Sequence, residues 1–110
     1  AGQDPGAAAY LGLDSVDSDD LAISMGEPLV VPALFIVGEP SMCNARGNFQ
    51  PVFERWPQYR VKSVSGASHC HFELPYDKRC AWLCGGASEV ETAEIQQEIG
   101  SAATEFLLKR

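Results

Sequence analysis

Three short runs of apolar and β-branched residues predict three β-strands, at residues 7–13, 32–37 and 59–64. The second run, Pro-Ala-Leu-Phe-Ile-Val, has no polar position and ends at Gly38. An uninterrupted apolar run of this length is typical of a parallel strand that is covered on both faces. The pattern therefore predicts a parallel sheet with helices packed against it.

Helical periodicity lies between and after the predicted strands. Four apolar side chains follow the i, i+3, i+4, i+7 spacing of one helix face: Phe49, Val52, Phe53 and Trp56. Pro57 ends this pattern. Further helices are predicted at residues 18–25, at 75–84 and from 88 to the end of the chain. Strands that alternate with helices indicate the α/β class, here a partial three-layer α/β/α sandwich with about three parallel strands.

The predicted sheet is incomplete by itself. Strands of the buried type need neighbours, and three strands leave two edges without one. We therefore expect residues 1–110 to form the C-terminal portion of a single larger domain. Its N-terminal half would lie on a missing segment or on another chain.

Net charge and hydropathy argue against nucleic acid as a partner and against a membrane span. The net charge is −7, whereas a nucleic-acid-binding surface needs clustered basic residues. The longest apolar run, Leu29 to Val37, is far shorter than the roughly 20 residues of a membrane-spanning helix. We expect neither nucleic acid nor a membrane span.

Two residues with catalytic chemistry follow predicted strands. Asp14 comes directly after the first strand, and His69 lies in the loop after the third. The carboxyl ends of parallel strands meet at one edge of a sheet, so we expect the two side chains to lie near each other. His69 would act as general base and Asp14 would orient it. Acid before histidine is the chain order of a Ser…Asp…His triad, but the Gly-x-Ser-x-Gly nucleophile motif is absent from the chain.

Alternatives to both residues stay open. His71 is the rival base, and Asp17 is the next acid. The structural interpretations are an ordinary loop histidine and an aspartate that caps a helix or a turn.

Four cysteines allow two disulfides in three pairings. Cys43 and Cys70 follow the ends of strands that should be adjacent, so a bridge between them is one expectation and free thiols are the other. A bond between Cys80 and Cys84 is the less common arrangement. A Cys43–Cys70 disulfide would indicate a secreted or extracytoplasmic protein, and a plastid protein is the alternative.

Three segments together resemble one family. Residues 11–17, Leu-Gly-Leu-Asp-Ser-Val-Asp, resemble the LDPVD segment of the chlorophyllase-like and dienelactone-hydrolase-like (polyester esterase) group of α/β-hydrolases. Residues 31–38 resemble the strand that follows in that group, and residues 66–70 resemble its histidine loop. The resemblance extends from about the sixth strand of that fold to its end. Ser15 departs from it by replacing proline, and Glu39 stands where many α/β-hydrolases carry the acid.

The resemblance implies the C-terminal half of an α/β-hydrolase that supplies Asp14 and His69 to a serine carried elsewhere. Its partners would be a complementary N-terminal hydrolase chain or segment and a small hydrophobic ester, with no cofactor and no metal. The alternative is a non-catalytic, hydrolase-like interaction or structural subunit of a larger assembly. A zinc or redox module around Cys80 and Cys84 is a third possibility.

Overall fold

Three parallel strands form one sheet in the order β1-β2-β3: β1 (Tyr10–Leu13), β2 (Ala33–Val37) and β3 (Tyr59–Ser63). The computed structural model describes residues 8–73, 76–84 and 89–109. Ala33 is the register partner of Tyr10 on one side and of Tyr59 on the other. The predicted parallel strands are thus confirmed, although β1 begins at Tyr10: Ala8 and Ala9 precede the strand, and Ala7 lies outside the described residues.

Among the described residues four α-helices accompany the sheet: α1 (Leu21–Met25), α2 (Gln50–Phe53), α3 (Lys78–Cys84) and α4 (Glu89–Lys109). Short 3-10 segments precede α1 and follow β2 and β3, at Ser18–Asp20, Met42–Gly47 and His69–Phe72. The helix α2 is shorter than its apolar pattern predicts. Beyond Phe53 the amides of Arg55 and Trp56 donate to carbonyls only three residues back, so the chain tightens into turns.

Alternate residues of β2 point to opposite faces of the sheet and are buried on both. On one face Ala33 and Phe35 join a core with residues of α2 and its flanking turns. On the other face Leu34 and Ile36 join Ile99 and other residues of α4. Helices therefore flank the parallel sheet on both sides, as expected for an α/β fold with a fully covered central strand.

An aromatic cluster fixes the first face. The ring of Phe35 stacks on Phe53 with centroids 4.3 Å apart, and Trp56 and Tyr10 lie 5.2 and 5.6 Å from it. Gly12 of β1 lies directly against this ring, because a Cβ atom there would come within 2.6 Å of Phe35. The close approach holds the end of β1, two residues before Asp14, against the centre of the core.

Both outer strands keep a free edge within the described part of the chain, since β1 and β3 each pair only with β2. All five residues of β3 are exposed, whereas β1 is largely buried or half-buried. No helix in residues 8–73, 76–84 and 89–109 is long and apolar enough to cross a bilayer.

Candidate functional site

Asp14 and His69 meet at the carboxyl edge of the sheet. Asp14 directly follows β1, and His69 begins the 3-10 segment that follows β3. The carboxylate Oδ2 of Asp14 lies 2.6 Å from Nδ1 of His69. The two residues are 55 positions apart in the chain, so their contact depends on the parallel sheet that brings both loops to one edge.

Asp14 occupies a backbone conformation that few residues adopt. Its φ is +46°, in the left-handed region where aspartate is one of the better tolerated residues. Its amide donates to the carbonyl of Ile36 at 2.8 Å, which holds the backbone against β2 as the chain turns away from the sheet. Such a conformation costs about 1–3 kcal/mol and persists only where the surroundings enforce it. Here it directs the carboxylate toward the histidine loop.

Donors from the loop after β2 surround the Asp14 carboxylate, which is 4% exposed. The amide of Gly38 donates to Oδ1 at 2.9 Å. The side-chain amide of Asn44 donates to Oδ1 and Oδ2 at 3.3 and 3.2 Å. With His69 at the remaining side, the position of the carboxylate is fixed from three directions.

Asn44 is a site residue that the sequence analysis missed. It is 1% exposed, and its Nδ2 also donates to the carbonyl of Glu39 at 2.9 Å. Its Oδ1 accepts from the amide of Ser41 at 2.8 Å, as in a capping box. The Ser-x-x-Asn spacing after β2 was the available signal. It predicts a turn, but not that the asparagine would hold an acid from another strand.

His69 contacts Asp14 through one ring nitrogen only. A carboxylate accepts hydrogen bonds, so its contact places the ring proton on Nδ1 and leaves the lone pair on Nε2. The side chain is 30% exposed. Within the described residues no hydrogen-bond partner is found for Nε2. This is the state in which a histidine can take a proton from a hydroxyl group.

His71 occupies a structural position instead. It is 2% exposed, its Nδ1 accepts from the amide of Ser68 at 2.8 Å, and its Nε2 lies 3.5 Å from the hydroxyl of Thr92. Its ring stacks on Tyr76. Burial lowers the pKa of His71 below its ordinary value of 6.5. Both ring nitrogens of His71 are therefore engaged. His69, which the sequence favoured as the base, is the more exposed of the two histidines.

Asp17 and Glu39, the alternative acids, are placed differently from Asp14. Asp17 is buried and caps α1, accepting from the amides of Ala22 and Ile23 at 2.6 and 3.0 Å. Glu39 has an exposed side chain and joins this region through its backbone, whose amide donates to Ala67. Neither carboxylate has a hydrogen bond to His69 among the described residues.

The expected Cys43–Cys70 disulfide is wrong, although two disulfides are present. Cys43 bonds to Cys84, and Cys70 bonds to Cys80. The reason is α3, which lies beside both loops and presents Cys80 and Cys84 one helical turn apart. Each loop is therefore joined to α3 rather than to the other loop, and the Cys80–Cys84 bond does not form either.

Three cysteine sulfurs have the mutual spacing of ligands in a metal site. The Sγ atoms of Cys70, Cys80 and Cys84 are all within 4.8 Å of one another. Zinc binds the thiolate form of cysteine, and each of these sulfurs is part of a disulfide. In its disulfide-bonded state the cluster therefore offers no thiolate ligands.

Two cavities adjoin the site. A small one of about 50 Å³ lies beside Asp14 and is lined mainly by apolar residues, including Phe35, Val37 and Phe49. A larger open cleft of about 210 Å³ lies between the loop after β2 and the histidine loop, with His71 and Cys84 in its wall. The region around the Asp14–His69 pair therefore has a small apolar recess on one side of the loop after β2 and an open cleft on the other.

A nucleophile is the part of a triad that is not found here. The sequence has no Gly-x-Ser-x-Gly motif, and in the part of the chain that the structure describes no serine forms a hydrogen bond with His69. Comparisons with protein-family models, with curated proteins and with solved structures gave no match to this chain.

Proposed function

We propose that this chain supplies the acid and the base of a serine carboxylic-ester hydrolase, as the C-terminal part of an α/β-hydrolase. The observation that carries the proposal is the 2.6 Å contact between Asp14 Oδ2 and His69 Nδ1 at the carboxyl edge of a parallel sheet. An acid and a histidine whose second ring nitrogen has no hydrogen bond among the described residues are two of the three parts of a triad.

In the proposed reaction, Nε2 of His69 takes the proton of a serine hydroxyl as that oxygen attacks the ester carbonyl. Asp14 holds the ring in the required tautomer and stabilises the imidazolium that forms. His69 then gives the proton to the departing alcohol, which leaves an acyl-enzyme. Water, activated by the same nitrogen, hydrolyses that intermediate and restores the serine.

The free edge of β1 is where the complementary segment would join. Leu11 and Gly12 of this strand are half-buried or buried although one side of the strand has no partner among the described residues. Natural proteins seldom leave such an edge uncovered. A strand added there would end beside Asp14, and the loop after it would come within reach of His69.

A small hydrophobic ester is the substrate class that the surroundings support. The cavity beside Asp14 is lined mainly by apolar side chains, including Phe35 and Phe49. A recess of about 50 Å³ has room for one short apolar group only, which is why the proposed ester is small.

A fluorophosphonate probe tests the proposal in the native assembly that contains this chain. The assembly is purified without denaturation, labelled, digested and mapped. We expect one labelled serine, in a Gly-x-Ser-x-Gly motif on the same polypeptide or on a chain bound to it, and hydrolysis of a chromogenic short-chain ester that the probe abolishes. Absence of a labelled serine and of ester hydrolysis would overturn it.

The second candidate function is a non-catalytic subunit with a hydrolase-like fold. The absence of the nucleophile motif from the chain is the observation that favours it. In that case Asp14 and His69 only join two loops, and the companion of this chain has no serine that reacts with the probe.

A further inference from the structure

We propose that the four cysteines form a single thiol-exchange site, in which opening of the Cys43–Cys84 disulfide leads to attack on the Cys70–Cys80 disulfide. The reagent that opens this site is a thiol or dithiol reductant. The chemistry of the exchange is independent of the proposed function. Only its consequence for the Asp14–His69 pair rests on that function.

The proximity of the two bridges is the first observation. The Sγ atom of Cys84, which belongs to one disulfide, lies within 4.8 Å of both sulfurs of the other, Cys70 and Cys80. Disulfide exchange requires a thiolate to reach the sulfur that it attacks. Once the Cys43–Cys84 bond is open, the Sγ atom of Cys84 therefore lies at most about 1 Å beyond van der Waals contact with the sulfurs of the Cys70–Cys80 disulfide.

Unequal access to solvent is the second observation. Cys70 is 0% exposed, whereas Cys43, Cys80 and Cys84 are half-buried, and Cys84 lines the open cleft beside the histidine loop. A reductant in solution therefore meets the Cys43–Cys84 bridge more readily than the sulfur of Cys70. Exchange through Cys84 provides a route from that accessible bridge to the buried Cys70 sulfur.

The steps balance as ordinary thiol–disulfide exchange. A dithiol reduces the Cys43–Cys84 bond, becomes a cyclic disulfide and leaves two cysteine thiols. Cys84 loses its proton to solvent, and its thiolate attacks Cys80 or Cys70. The new bond joins Cys84 to the attacked sulfur, and the displaced sulfur leaves as a thiolate that takes up a proton.

The exchange alters the attachments of both sides of the candidate site. Cys43 precedes Asn44, which donates to the Asp14 carboxylate, and Cys70 follows His69. Both are joined to α3, a helix with no buried residue of its own. The bridges are thus a main restraint on α3. Both exchange products leave Cys43 free and so release the loop that carries Asn44, and attack on Cys80 also frees Cys70 and with it the loop that carries His69.

Partial reduction with alkylation tests the exchange directly. The chain is exposed to a limiting amount of dithiothreitol, quenched with iodoacetamide at successive times, and species with two labelled cysteines are isolated by mass and mapped. Simple reduction labels Cys43 with Cys84, or Cys70 with Cys80. We expect a folded two-label species that carries one label from each native bridge, Cys43 with Cys70 or Cys43 with Cys80.

The control is the C43S/C84S variant, in which the nucleophile of the exchange is missing. Its Cys70–Cys80 bond should open severalfold more slowly than in the parent chain. Labels confined to the native pairs would overturn the proposal. So would a mixed species whose share rises with protein concentration, or one that circular dichroism shows to be unfolded. Because the mapping reads only bond connectivity, its outcome is distinct from that of the esterase test.

Discussion

At the scale of single residues, the candidate site depends on which polar groups the loops hold in place. Asp14 follows its strand in a left-handed conformation and is surrounded by donors from the loop after β2. His69 has one nitrogen on that carboxylate and the other free of hydrogen bonds among the described residues. Two residues away, His71 is buried with both nitrogens engaged. The same residue type is therefore partly exposed with one ring nitrogen free of hydrogen bonds among the described residues in one place, and buried with both engaged in the other.

Replacing the carboxylate tests the pairing of the two residues. In Asp14→Asn the acceptor is neutral, and a hydrogen bond to a neutral acceptor is about half as strong as one to a carboxylate. We expect the strongly downfield Nδ1 proton resonance of His69 to be lost and the ring to leave its single tautomer. Proton and nitrogen NMR of the ring measure both. Asp17→Asn is the matched control and should leave the resonance in place, and an unchanged resonance in Asp14→Asn would contradict the pairing.

The buried His71 predicts how stability depends on pH. Burial lowers its pKa in the folded chain, so the unfolded chain binds the proton more readily than the folded chain does. The contribution of His71 is therefore complete above its ordinary pKa of 6.5 and is lost as the pH falls from there toward the lowered value. His71→Gln should show a smaller decline in the free energy of unfolding between about pH 7 and 5. Urea unfolding at several pH values measures the decline.

The control for this measurement is His69→Gln, which removes a histidine with a carboxylate partner and should keep the decline that belongs to His71. An equal pH dependence in His71→Gln and in the parent chain would show that the ring is not held neutral by its surroundings.

At the scale of elements, the acidic segment after β1 provides hydrogen-bond acceptors for the start of α1. Asp17 is buried and accepts from two amides at the start of α1. It is itself held by Asn48, which accepts from its amide and donates to its carbonyl. The hydrogen bonds between Asp17 and Asn48 therefore connect the segment after β1 to the turn before α2.

Removal of this cap has a definite expected cost. Asp17→Ala leaves the amides of Ala22 and Ile23 without an acceptor and should lower the free energy of unfolding by about 1–2 kcal/mol. Chemical denaturation measures the loss. Glu54→Ala, which truncates an exposed acid, is the control and should change stability by no more than about 0.5 kcal/mol. Equal effects of the two substitutions would contradict the capping role.

The elements themselves were largely predictable, because their signals are local. The apolar run of β2 and the periodicity of α4 each specify an element without reference to the rest of the chain. The disulfide pairing was not predictable in the same way. It depends on where α3 packs, and no pattern within α3 shows that its two cysteines would meet two different loops. Asn44 was missed for the same reason, since its partner comes from a strand 30 residues away.

At the scale of the whole molecule, the edges of the sheet are the feature on which the proposal of a complementary segment depends. The sheet has helices on both faces, yet within the described residues its outer strands each have one unpaired edge. The Asp14–His69 pair lies at the end of β1, next to the edge that the proposed complementary strand would occupy. The proposed division of a triad between two segments requires an acid–histidine pair beside an unpaired edge of this kind.

The most direct test of the central claim compares the two histidines in the native assembly that contains this chain. The value of kcat/KM for a chromogenic short-chain ester is measured for His69→Gln and for His71→Gln, after unfolding curves have shown that both variants are folded. Loss of the general base should lower kcat/KM by about 10²–10⁴-fold in His69→Gln. His71→Gln should stay within severalfold of the parent. A His69→Gln assembly that hydrolyses the ester as well as the parent does would contradict the account.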